Sequence, residues 1–133
     1  MKLLMTTLAT LTIGLSTFAH EGHDKTPGAL TAPHGGQIKG TSQLYLELVS
    51  SPSGFKIYTV DHDFKAIPAK DVKIVGSVKR PKQKQADKLV LNASENFLES
   101  KVDAKGTHRY TVDLKVTYQG KTEAVSFNVE PQE

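Results

Sequence analysis

No cysteine occurs anywhere in this chain of 133 residues. That absence excludes disulfides, thiolate metal ligands, a thiol nucleophile and a lipid anchor carried on a cysteine. Methionine is also scarce: both copies, Met1 and Met5, lie at the extreme start, so no Met-rich cluster for Cu(I) exists further along. Catalytic signatures are missing as well. There is no Gly-x-Ser-x-Gly, no His-Glu-x-x-His and no glycine-rich phosphate loop. Nor does charge of one sign dominate, because the formal net charge is only +3. With basic residues spread along the chain, nucleic acid is not an expected partner. The one local cluster, Lys79-Arg80-Pro81-Lys82-Gln83-Lys84, has no interleaved aromatic residue and reads as a solvated hairpin tip.

Long apolar runs are absent beyond the opening segment. Leu3 to Phe18 is apolar but interrupted by Thr6, Thr7, Thr10, Thr12 and Ser16. It is shorter than the roughly 20 apolar residues of a membrane span. Lys2 before it and Thr17-Phe18-Ala19 after it complete the three parts of a secretory leader. Cleavage is therefore expected after Ala19, giving residues 1–19 as signal peptide, residues 20–33 as a polar arm and residues 34–133 as the folded domain. Export without a lipobox points to the periplasm, with no stable membrane insertion afterwards.

A helical period of 3.6 is likewise missing, and what is present has period two. Leu44, Leu46 and Leu48 alternate with Tyr45 and Glu47, the mark of a half-buried strand. Ser51-Pro52-Ser53-Gly54 is turn chemistry, and Phe55 to Val60 follows as the second arm of a hairpin. Val72, Ile74, Gly76 and Val78 predict a third strand, Leu89 and Leu91 a fourth, and Phe97 with Leu98 a short fifth or a packed loop. Tyr110, Val112, Leu114, Val116 and Tyr118 share one face of the clearest strand, and Gln119-Gly120 turns it into a last one carrying Val125, Phe127 and Val129. Residues 32–40 read as a turn-rich lead-in. The prediction is an all-β fold: an antiparallel two-sheet sandwich of immunoglobulin-like size with about seven strands, a small β-barrel being the alternative.

Three of the five histidines fall within residues 20–34. They occur in His20-Glu21-Gly22-His23-Asp24 and in Pro33-His34-Gly35-Gly36. Without thiolate, imidazole and carboxylate are the usual ligands for Cu(II) and Zn(II). Cleavage after Ala19 makes His20 the first residue, with a free amine whose pKa of about 8 lets a metal displace its proton. Amine and imidazole nitrogens of His20 then chelate one ion. His23 adds a nitrogen, Glu21 or Asp24 an oxygen, and His34 completes the set across a tether of about ten residues. The competing reading is a solvated start to the mature chain with histidines present by composition alone. His62, between Asp61 and Asp63, is either a further ligand or a loop cap. His108 shares parity with Tyr110 and is expected to end the core.

Pro33-His34-Gly35-Gly36-Gln37-Ile38, then Leu46-Glu47-Leu48-Val49, then Ile57-Tyr58-Thr59-Val60-Asp61-His62-Asp63 with Lys65 and Ile67-Pro68, form a three-part pattern. Over residues 32–78 the chain resembles a small periplasmic module associated with heavy-metal efflux. That module also occurs beside the membrane-fusion adaptors of resistance-nodulation-division pumps. The resemblance implies a β-rich periplasmic domain that handles copper, zinc or related ions, with an efflux adaptor as partner. The expected function is accordingly a non-enzymatic metal carrier or buffer. A protein-interaction module with no metal role, using sheet edges as its contact, is the alternative.

Overall fold

The computed structural model describes residues 30–104 and 106–132. They form nine strands: β1 (Gln37–Gly40), β2 (Tyr45–Ser51), β3 (Gly54–Val60), β4 (Lys73–Lys79), β5 (Asp87–Lys88), β6 (Asn92–Ala93), β7 (Leu98–Lys101), β8 (Tyr110–Tyr118) and β9 (Lys121–Val129). One 3-10 turn, Ala69–Asp71, precedes β4. Two antiparallel sheets result, ordered β1-β2-β3-β7-β6 and β5-β4-β8-β9. They are not closed into a barrel, so the sandwich expectation holds. None of the described helices is long and apolar enough to cross a membrane.

Alternation does what the period-two pattern predicts where strands are long. In β8 the buried positions are Tyr110, Val112, Leu114 and Val116, and Asp113 and Lys115 between them are exposed. The Gln119-Gly120 turn puts both residues at positive φ, 47° and 77°, the mirror-image geometry that matches the right-handed twist of a hairpin. Leu46, Leu48, Phe55, Ile57 and Leu98 from one sheet meet Ile74, Val112, Leu114, Val125 and Phe127 from the other in a single core. The rings of Phe55 and Tyr110 lie 6.5 Å apart across it.

The expected strand count falls short for two reasons. Residues 37–40 pair with β2 instead of forming a loop, because Ile38 can lie opposite Glu47 and Gly40 opposite Tyr45. Leu89 and Leu91 do not make one strand. β5 pairs with β4 and β6 pairs with β7, so the chain between them crosses from one sheet to the other. Leu89 is buried in that crossing while Val90 is 71% exposed. The basic cluster occupies the connection between β4 and β5, as a hairpin tip should.

The opposite side of the sandwich is fastened by side chains. Gln37 Nε2 donates to the Asn128 carbonyl at 2.8 Å, and Ser50 Oγ to the Glu130 carbonyl at 2.9 Å. Ser42 donates its N–H to both oxygens of Glu123 and its hydroxyl to Oε2 at 2.7 Å. Lys121 Nζ then donates to Ser42 Oγ at 2.7 Å. These contacts fix β1, the segment between β1 and β2, and the end of β2 against the other sheet.

Candidate functional site: a buried carboxylate beneath His34

In β2 the alternation fails at one informative place. Leu46, Glu47 and Leu48 are all buried, and Glu47 is 1% exposed. Its side chain leaves the strand on the face away from Leu46 and Leu48, as period two requires. On that outer face its register neighbours are Ile38 in β1 and Tyr58 in β3. The segment leading into β1 covers it.

The covering segment explains the His-Gly-Gly sequence. Gly35 has φ +74°, a backbone conformation that costs a residue with a Cβ on the order of 1–2 kcal/mol. It closes a turn in which its N–H donates to the Ala32 carbonyl at 3.1 Å. Gly36 lies so close to β2 that a Cβ there would sit 2.4 Å from the Leu48 carbonyl oxygen. Only glycine lets the chain approach this far. The approach delivers two backbone donors and one ring nitrogen to one carboxylate. His34 N–H and Gly36 N–H reach Glu47 Oε1 at 2.7 and 3.0 Å, and His34 Nδ1 lies 2.8 Å from Oε2. A buried carboxylate needs such partners, since leaving one unpaired costs several kcal/mol, to the order of magnitude.

The imidazole is fixed from a second direction. Its ring stacks on Tyr58 with centroids 3.7 Å apart and planes 10° from parallel. Tyr58 in turn meets Phe97 at 5.6 Å, and Lys56 Nζ stands 4.6 Å over the Phe97 ring. His34, Tyr58, Val60, Ala66, Asn96 and Phe97 line a recess of about 410 Å³ beside the imidazole. The His34 side chain remains 44% exposed, although Nδ1 is engaged with Glu47. The arrangement is therefore one oriented imidazole whose remaining ring nitrogen is Nε2. It sits in a shallow, largely apolar surround, and a metal-binding histidine is commonly held this way through its other nitrogen.

The other histidines of the described residues are placed differently. His62 belongs to the loop after β3, where Asp61 Oδ1 accepts the N–H groups of Asp63 and Lys65 at 2.8 and 2.9 Å. Asp61 is thus the loop cap, and the His62 ring packs against Tyr45 at 4.8 Å. Phe64, with φ 60°, covers Tyr45 at 5.4 Å. His108 does not end the core. It is exposed, two residues before β8 begins, and lines a separate depression of about 780 Å³ with Pro52, Lys101, Asp103 and Gln132. Parity failed there because His108 precedes the strand and the chain has already left the sheet geometry. His20, Glu21, His23 and Asp24 lie outside the described residues. Among the described residues, no three of His, Asp and Glu are grouped closely enough to hold an ion by themselves.

Glu47 and Tyr58 were not marked as functional by spacing or composition. Their signal was an acidic residue inside an otherwise apolar stretch, Leu44 to Val49, and a place in the same three-part pattern as His34. The fold gathers one residue from each piece of that pattern into a single contact. Comparison with protein-family models, with curated proteins and with solved structures finds no match to this chain.

Proposed function

We propose that this protein is an exported, non-enzymatic binder of Cu(II) or Zn(II) that buffers or carries the ion in the periplasm in connection with heavy-metal efflux. One observation carries the reading: His34 is held by Glu47 and Tyr58 with its ring half-exposed, close in sequence to a run containing two further histidines and two carboxylates. In this reading His20 chelates through its amine and imidazole, and His23 with Glu21 or Asp24 adds donors. His34 supplies the one ligand whose position is set by the folded domain. An all nitrogen and oxygen set suits divalent copper or zinc, and an exposed site lets the ion leave as readily as it arrives. His62, the remaining candidate, lies against Tyr45 in the loop after β3.

Calorimetry on the mature chain is the direct test. One Cu(II) is expected to bind with a Kd of about micromolar or below, and His20→Ala to weaken it by about tenfold or more, 1.4 kcal/mol. Absence of saturable uptake of both Cu(II) and Zn(II) sinks the reading. The interaction-module alternative draws on Val90, 71% exposed between β5 and β6. Those two edge strands are only two residues each, which leaves little backbone for strand addition. A partner retained equally with and without chelator favours that alternative.

A further inference from the structure

Glu47 is the least expected group on this surface: a carboxylate 1% exposed, outside the core, whose hydrogen-bond partners come from residues 34–36. We infer that Glu47 is a positioning residue that fixes the His34 imidazole as its Nδ1–H tautomer, so that Nε2 is the atom that ligates metal. The inference rests on the metal-binding reading for its consequence, but the tautomer itself is a property of the metal-free protein.

Donor and acceptor inventory carries the argument. Backbone N–H groups can only donate, so Glu47 Oε1 is the acceptor in both its bonds, to His34 and Gly36. In the ionised carboxylate Oε2, 2.8 Å from Nδ1, can likewise only accept, so it is Nδ1 that brings the proton. A neutral imidazole with hydrogen on Nδ1 has its lone pair on Nε2. The stack on Tyr58 and the short backbone link from His34 N–H to Oε1 hold the ring in the one orientation that serves both bonds. Gly36 contributes by its close approach to β2, which brings its own N–H to Oε1.

The same inventory predicts what an isosteric amide does. In Glu47→Gln the side chain has a single oxygen, and the two backbone donors claim it. Its NH₂ group must then face Nδ1 and donate, which makes Nδ1 the acceptor and moves the ring proton to Nε2. The backbone bonds survive, so the fold is retained while the ligating lone pair is turned away from the ion.

Long-range ¹H–¹⁵N correlation spectra of the metal-free mature protein at pH 8 read the tautomer directly. Wild type is expected to carry the His34 proton on Nδ1, and Glu47→Gln to carry it on Nε2. Cu(II) affinity is expected to fall roughly tenfold in the variant, the lower end of the usual range for losing an outer-shell partner. A wild-type ring protonated on Nε2 overturns the inference. So does a variant that flips its tautomer yet binds Cu(II) as tightly as wild type. Should Glu47→Gln fail to fold, the wild-type spectrum still decides the tautomer. Wild type that binds no metal defeats the functional reading instead, and leaves the spectral result standing by its own outcome.

Discussion

Tyr110 shows how a single residue can cost a domain stability it does not need to lose. Its side chain is buried between the sheets at 1% exposure, and its hydroxyl finds no hydrogen-bond partner among the described residues. A buried hydroxyl without a partner forfeits its hydration and gains nothing in return. Tyr110→Phe removes the hydroxyl while keeping the ring that faces Phe55, and is expected to stabilise the fold by up to about 1 kcal/mol in urea denaturation. The residue also sets an alkaline limit. Burial pushes its phenol up to about 12 from the ordinary 10.0, with the Arg80 charge pulling weakly the other way. The folded state thus prefers the neutral phenol. Its contribution is complete below pH 10.0 and declines as pH climbs toward about 12. Tyr110→Phe should unfold less readily than wild type across that window, and equal alkaline slopes for the two proteins would refute the assignment.

At the scale of elements, long strands were readable and short ones were not. The β2–β3 hairpin, β4, β8 and β9 span seven to nine residues each, enough for several periods of alternation. β5 and β6 contain two residues each, a single period with nothing to repeat it. Leu89 and Leu91 then imitate a strand where the chain is changing sheets. β1 was hidden by the glycines that let it lie against β2, since the same residues that signal turns also permit close pairing. The site was half legible for a related reason. Period two correctly sends Glu47 to the face away from the core, but nothing in a strand pattern says what will lie on top of it. That depends on a segment eleven to thirteen residues earlier folding back. The segment just before β2 is fastened to the other sheet by Glu123. Hydrogen bonds from Ser42, above all its hydroxyl, hold that carboxylate below the ordinary value of 4.5, with Lys121 assisting. A lowered carboxylate stabilises the fold above pH 4.5, and the gain is lost as pH falls below it. Hydrogen exchange at the amides of residues 42–44 is therefore expected to accelerate relative to the core as pH is taken from 6 toward 3.5, after correction for intrinsic rates. Glu123→Gln should show little of that pH dependence, and a variant that reproduces the wild-type profile would assign it elsewhere.

For the whole molecule, the proposed ion site divides into two cases: one that includes the folded domain, and one made only of the residues before it. Linkage separates these cases, because a ligand stabilises a fold only by the margin with which it prefers the folded chain over the unfolded one. A site made wholly of His20, Glu21, His23 and Asp24 draws on residues close together in sequence, so unfolding leaves its ligands at hand and the melting temperature stays where it was. A site that includes His34 requires the imidazole as Glu47 and Tyr58 hold it, and unfolding the sandwich disperses that arrangement. If His34 contributes a tenfold preference for the folded chain, about 1.4 kcal/mol, the melting point should rise by roughly 5–10 °C for a domain of this size. Because no cysteine is present, the measurement is free of thiol oxidation by copper. Cu(II) at saturation is expected to raise the melting temperature of wild type and to leave that of His34→Ala unchanged, although the variant still binds copper through its N-terminal residues. An equal rise in both proteins would remove His34 from the site, and with it the reason for the His-Gly-Gly segment to be built over a buried carboxylate.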